Sequence, residues 1–500
     1  MEEKYSLESI QNFEGKYPKQ LYMLFFAEMW ERFTFYGMRA LLILFMTKQL
    51  LYEDSVANLK YGAFNAFVYA MGIFGGMFAD KYLGSRKAIR YGGILMAIGS
   101  FALVLPFEES FYLGLGTIVV GNGFFKPNIS TMVGQLYRPG DPRRDAGFSL
   151  FYSGINFGAF FGAVLCGWVG EEVSWHLGFG MAGVFMLAGL FVFFKGQNIL
   201  GPIGLPPNPE ELKKKYFLGL NIEQFIYVAC LLLIPVYYYL LIEHQIVDYI
   251  MIPLVPATII FIFWLAKDES KVALQKLGAA MILIIFSMLF WAFYEQAGGS
   301  LNLFADRNVD MFVWGKELPA ASVNNGANPL YIIIFSPLVG LLWLALAKRK
   351  LEPNMSVKFS IGLVLLGLGF VVFGYSKTLA SAEGLVPLWI FLSAYFIITM
   401  GELCLSPIGL SMITKLSPAK IVGLMMGMWF LASAFGQYLA GWIGAAIHSG
   451  KSETSGVSDG MSSLNAFTDT YGQIGYIAIG SGVLLLILSP LLKRLMHGIN

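Results

Sequence analysis

Apolar stretches of about 20 residues, separated by short polar or glycine-rich breaks, recur along most of the 500-residue chain. Each is long enough to cross a hydrocarbon core of roughly 30 Å as a helix. The pattern predicts fourteen spans, near residues 21–50, 60–82, 88–107, 110–136, 146–170, 175–195, 222–242, 246–266, 276–300, 327–347, 357–376, 385–414, 421–447 and 471–492. The chain therefore reads as an all-α, polytopic membrane protein. Its breaks alternate in charge. Lys81, Arg86, Lys87 and Arg90 follow the second span, Arg138, Arg143 and Arg144 the fourth, and Lys213, Lys214 and Lys215 the sixth. Lys348, Arg349 and Lys350 follow the tenth, and Lys493 and Arg494 the last. The intervening breaks hold Glu108–Glu109, Glu171–Glu172 and the Gly/Ser-rich HSGKSETSGVSDGMSSLN. Basic loops stay cytoplasmic, so both termini are expected there.

Composition agrees. The chain is 57% hydrophobic and 13% charged, far below the roughly 25% charged content of soluble domains. A net charge of +2 without a clustered basic face argues against a nucleic-acid partner. Cys166, Cys230 and Cys404 each sit in an apolar run without a CxxC spacing, which points to small core residues rather than a disulfide framework or zinc site. No metal or cofactor is implied. The polar N-terminus lacks a signal-peptide stretch, which leaves the first span as the insertion signal.

One long interruption, GQNILGPIGLPPNPEELKKKY, is rich in Pro and Gly and ends in lysines, as expected of a cytoplasmic linker between two bundles. Six spans precede it and eight follow. The first two that follow, FIYVACLLLIPVYYYLLI and YIMIPLVPATIIFIFWLA, carry no charge and read as lipid-facing additions to a six-plus-six core. The expected division is a cytoplasmic tail at 1–20, an N-terminal six-helix bundle at 21–196, a linker at 197–221, an extra helix pair at 222–267 and a C-terminal six-helix bundle at 268–500.

Charges inside spans carry the chemistry. In AEMWERFTFYGMRA, at 100° per residue, Glu31, Arg39 and Arg32 lie about −60°, +20° and +40° from Glu28, so one helix face holds all four. An intrahelical Glu28–Arg32 pair is the structural alternative, and it leaves the other two charges unexplained. Lys126, Glu295 and Glu402 also lie well inside spans. An intramembrane charge costs at least ~2.5–3.5 kcal/mol on insertion scales, which makes each of these a functional-site residue by default. The first half holds Arg32, Arg39 and Lys126 against Glu28 and Glu31, whereas the second holds Glu295 and Glu402 with no internal cation. Such halves attract, and a zwitterion between them would turn its carboxylate to the first and its ammonium to the second. A proton on a carboxylate would weaken a cross-half pair, the kind of switch that couples opening to a proton gradient.

GGMFADKYLGSRKAI, with Gly76, Asp80, Gly84, Arg86 and Lys87, resembles the major facilitator superfamily signature. ExxERFxxYG (Glu28, Glu31, Arg32, Phe33, Tyr36, Gly37), FYSGINFGA, GNGFFKPNIS, YEQAGGSLNLFADR, GANPLYII and MGELCLSPIGLSMITKLSP together resemble the proton-dependent oligopeptide transporter family across nearly the whole chain. The resemblance implies the major facilitator fold with fourteen transmembrane helices, six plus six with an extra pair between the halves. It also implies a non-enzymatic symporter of di- and tripeptides with protons, working as a monomer in the bacterial inner membrane. HExxH and Walker A patterns are missing, in keeping with no enzymatic activity.

By the same resemblance, Glu28, Glu31 and Arg32 form the coupling cluster, with either acid exchanging the proton and Glu295 taking part. Arg39 would pair with Glu295 as an extracellular gate, and Lys126 with Glu402 near the centre. Arg39 and Lys126 would receive the peptide carboxylate, Glu402 and Asn328 the ammonium, and Asn156 the backbone. Tyr36, Tyr69, Trp291 and Trp429 would line side-chain pockets, and Ser406 would bond Glu402. Phe35 stands where many bacterial members have tyrosine, Gly72 where proline is common, and Gly62 near the place of an animal coupling histidine. His176, His244, His448 and His497 lie near loops or helix ends and take no role. A transporter of nitrate or another small anion is the rival reading.

Overall fold

The computed structural model describes residues 5–405, 409–418, 421–447 and 460–497. Among them run fourteen long helices: α1 (Lys19–Lys48), α2 (Asp54–Phe78), α3 (Ser85–Ala102), α4 (Glu108–Gln135), α5 (Arg143–Glu172), α6 (Trp175–Gly196) and α7 (Ile222–Ile242, interrupted at Leu232), followed by α8 (Gln245–Leu265), α9 (Lys271–Tyr294), α10 (Ala320–Lys348), α11 (Met355–Tyr375), α12 (Leu388–Leu405), α13 (Val422–Ala446) and α14 (Gly460–Leu495). Ten are long and apolar enough to cross a membrane on length and composition alone. α1 falls short because its four charges interrupt the apolar run. Short polar caps start several helices. Ser270 accepts from the Ala273 amide, Asn354 accepts from the Val357 amide, and Asn221 forms a reciprocal capping box with Gln224.

Contacts divide the chain into two units, Met1–Leu42 with Phe67–Glu243, and Ile43–Ala66 with His244–Asn500. In the first, glycines allow close helix approach. A Cβ on Gly158 of α5 would lie 2.2 Å from the Met29 carbonyl oxygen of α1, and one on Gly162 would lie 2.3 Å from that of Phe33. These positions recur every four residues, the small-residue spacing that lets two helix backbones meet. The FYSGINFGA motif thereby packs against α1 through Gly154 and Gly158, at Phe25, Met29 and the Cβ of Arg32. On α4, Gly121 and Gly123 are equally crowded, against Gly92 of α3 and Met71 of α2.

The signature loop also has a specific partner. Gly84 sits at φ +71°, where an L side chain is strained, and a Cβ there would meet Leu205 and Pro206 at 2.5 Å. Arg86 donates to the carbonyls of Ile203 (2.6 Å) and Gly201 (2.5 Å). These bonds hold the Pro/Gly-rich linker.

The second unit departs from the apolar pattern in two places. A short helix, Ser300–Asn308, follows a 3-10 turn at Glu295–Gly298, so the ninth span stops being α-helical at Tyr294. α14 begins at Gly460, within the stretch expected to be loop, because Ser463 bonds the buried Asn308, whose amide caps the Gly384 and Gly460 carbonyls. Among the described residues, the all-α reading holds apart from three two-stranded ribbons of two or three residues per strand. The extra helix pair is largely exposed, with 17% of the most apolar window of α7 and of α8 buried. Neither helix is charge-free as folded. α7 opens with Glu223, which meets Lys87, and α8 carries Asp248, which accepts from Tyr438 (2.6 Å) and Trp442 (3.2 Å). Both acids stand in the first turn of their helix, ahead of the apolar run.

Candidate functional site

Each unit holds part of the expected site. In the first, Glu28, Glu31, Arg32 and Arg39 are all buried, as a shared protein-facing side of α1 requires. Arg32 Nε lies 3.2 Å from Glu28 Oε1 and also bonds Glu31 Oε2. The intrahelical pair therefore exists but is half of a three-residue cluster. Glu31 Oε1 accepts from the Asn122 amide of α4 at 2.9 Å. Among the described residues, Glu28 Oε2 and Arg32 Nη2 are buried without a hydrogen-bond partner. Two buried carboxylates share one buried guanidinium, an arrangement that one proton would bring to neutrality.

The flanking aromatics are packed on these cations. Arg32 lies 5.7 Å from the Phe35 ring centroid, Arg39 5.9 Å from Tyr36, and Lys126 4.4 Å from Tyr69. Cation–π contacts of this kind need a ring face and no hydroxyl, so phenylalanine at 35 keeps the contact. Asn156 is buried, and its amide donates to the Tyr152 carbonyl of its own helix at 2.9 Å.

In the second unit, Glu402 of α12 is buried and accepts at Oε2 from Tyr294 (2.8 Å) and Asn328 (2.8 Å). The Asn328 amide also reaches Thr399 Oγ1 at 3.1 Å. Glu295 is buried where α9 gives way to the 3-10 turn, and the adjacent Gln296 ties that turn to the Ala292 and Ala440 carbonyls. Trp291 packs edge-on to Tyr294 at 5.2 Å, and Trp429 is half-buried on α13. Ser406, Pro407 and His448 lie outside the described residues. Gly62 is occupied by its neighbours: a Cβ there would fall 2.7 Å from Gly441 Cα.

Sequence reading missed three polar partners: Asn122, Tyr294 and Thr399. Asn122 stands four residues before Lys126, one helical turn away on the same face, a spacing that could have flagged it. Tyr294 adjoins Glu295 in sequence yet serves a carboxylate 108 residues away. No local pattern signals that.

The PTR2 family model, described as the POT family, matches residues 86–458. The chain belongs to the POT family. Relatives of this POT-family protein include the uncharacterized transporter YclF of Bacillus subtilis, 37% identical over 97% of this chain and 96% of that one. Dipeptide and tripeptide permease B of Xenorhabdus bovienii is 30% identical over 96% of each. Among solved structures, a mutant of the peptide transporter POT in complex with alafosfalin superposes with a TM-score of 0.84 at 33% identity, covering 99% of this chain and 100% of that one. The fold is thus that of POT transporters, and the protein is a multi-pass membrane transporter rather than an enzyme.

Proposed function

We propose that this POT-family member is a proton-coupled symporter that imports di- and tripeptides by alternating access. The observation that carries the reading is the buried Glu28–Glu31–Arg32 cluster, in which two acids share one cation. A proton arriving at Glu28 or Glu31 balances the cluster and changes which partner Arg32 holds. Glu295, buried at a helix break, takes part in the same exchange and pairs with Arg39 as an outer gate.

The peptide carboxylate turns toward Arg39 and Lys126, and the ammonium toward Glu402 with Asn328. When empty, Lys126 and Glu402 pair with each other. Asn156 holds the backbone, while Tyr36, Tyr69, Trp291 and Trp429 shape the side-chain pockets and Ser406 bonds Glu402. Protons are the coupling ion, and no other cofactor takes part. The bundles are residues 21–196 and 268–500, linked by 197–221 and the pair at 222–267. Both termini face the cytosol of a bacterial inner membrane, in line with the basic breaks. The protein works as a monomer, since one chain supplies every group named. A nitrate or small-anion carrier is disfavoured, because the anion gives the buried, hydrogen-bonded Glu402 no cation to receive.

The test is uptake of labelled dialanine into liposomes under an imposed pH gradient, in competition with amino acids, dipeptides, tripeptides and nitrate. Di- and tripeptides should compete, and the other two should not. Glu31→Gln should lose uphill accumulation yet keep counterflow, and Lys126→Ala should lose uptake. Undiminished uphill uptake by Glu31→Gln, or effective competition by nitrate alone, would overturn the proposal.

A further inference from the structure

Glu402 is held in an asymmetric way. Both of its neutral donors, the Tyr294 hydroxyl and the Asn328 amide, converge on Oε2 at 2.8 Å, and they come from α9 and α10 onto an acid of α12. Two donors fill the lone pairs of one carboxylate oxygen. Oε1 receives neither. Because both donors are neutral, they orient the side chain without cancelling its charge.

Tyr294 is fixed independently of its hydroxyl. Its ring stacks on Phe290 at 5.8 Å with an interplanar angle of 15°, and Trp291 packs edge-on at 5.2 Å. The residue closes α9 immediately before the turn at Glu295, so its backbone direction is set by the helix end. On the side of the second donor, Asn328 is steadied by Thr399 Oγ1, which itself donates to the Tyr395 carbonyl at 2.8 Å.

We propose that Tyr294 is a positioning residue that, with Asn328, pins Glu402 through Oε2 so that Oε1 is presented to the substrate ammonium, making Tyr294 a determinant of selectivity for peptides with a free amino terminus. This rests on the reading above that Glu402 receives the ammonium. Without the hydroxyl, the carboxylate can turn about its last bonds, and a peptide cation would have to reorder it on binding. Substrates without an ammonium make no demand on that orientation.

The experiment uses the full-length protein in liposomes, comparing dialanine with N-acetyl-dialanine as competitors and separating KM from maximal rate for dialanine. Tyr294→Phe keeps the ring packing and removes only the hydroxyl. It should raise the dialanine KM about 10-fold, a loss in keeping with one hydrogen bond to a charged group, with maximal rate and melting temperature little changed. Affinity for N-acetyl-dialanine should stay the same, so the ratio between the two ligands falls. Asn328→Leu should move the ratio in the same direction. An unchanged ratio in Tyr294→Phe, or an equal loss for both ligands, would overturn the assignment. Glu402→Gln separates the two levels. If it leaves the ratio intact, the ammonium reading itself fails; if it collapses the ratio while Tyr294→Phe does not, only the role of Tyr294 is refuted.

Discussion

Adding one methyl group to Gly158 should disturb the coupling cluster from behind. The Cβ of Gly158→Ala would fall 2.2 Å from the Met29 carbonyl oxygen and 2.9 Å from Arg32 Cβ, whereas ordinary contact begins at 3.4 Å. α5 and α1 would have to separate by about 1 Å at the level of Arg32. The obstacle is a backbone carbonyl, so no side-chain rotation relieves it. Overpacking of this kind costs roughly 1–3 kcal/mol, partly offset by the ~1 kcal/mol that alanine gains over glycine in a helix. Gly72→Ala is the control, since no heavy atom lies within 4 Å of its Cβ position; it should be neutral or slightly stabilising. Gly154→Ala is intermediate, because its Cβ meets the Phe25 ring at 2.8 Å and a ring can shift. Thermal unfolding of the three variants in one detergent, with proton-driven uptake in liposomes, gives the ranking. Gly158→Ala matching Gly72→Ala in both would refute the argument that this glycine sets the helix spacing.

Three other perturbations follow from the same geometry. Asn122→Leu removes the only side-chain donor to Glu31 Oε1 described here, a loss of about 1.5–3 kcal/mol for a buried charged group; proton-driven accumulation should fall more than counterflow, as liposome uptake with and without a gradient would record. Gly62→His should not create a coupling histidine but impair folding or uptake, because the position is closed by the Gly441 backbone; a well-folded variant with a new pH dependence would contradict this. Arg143 donates to the Phe13 carbonyl at 3.0 Å, lies 3.8 Å from the Phe13 ring centroid and bonds Asp141, so Arg143→Ala should release the N-terminal segment, visible as faster proteolysis near Phe13. Hydrogen bonds from Arg143 hold the Asp141 carboxyl below its ordinary range. That contact is therefore complete at neutral pH and is lost only as pH falls through the depressed value, and proteolysis across an acid series would follow it.

The sequence alone determined the spans, the protein-facing side of α1 and the residues rare enough in lipid to need a purpose. Hydrophobic length and helical periodicity are local properties, and Glu28, Glu31, Arg32, Lys126, Glu295 and Glu402 stand out against apolar surroundings without any knowledge of their neighbours. What each charge touches is a different kind of fact. Asn122 reaches Glu31 across 91 residues and Tyr294 reaches Glu402 across 108, and polar residues such as Ser463 became helical because Asn308 offered them a partner. Packing chooses among the many donors a chain contains, since a buried carboxylate must be satisfied by whatever the fold brings within about 3 Å. That selection is made in three dimensions, where only the tertiary structure could decide it.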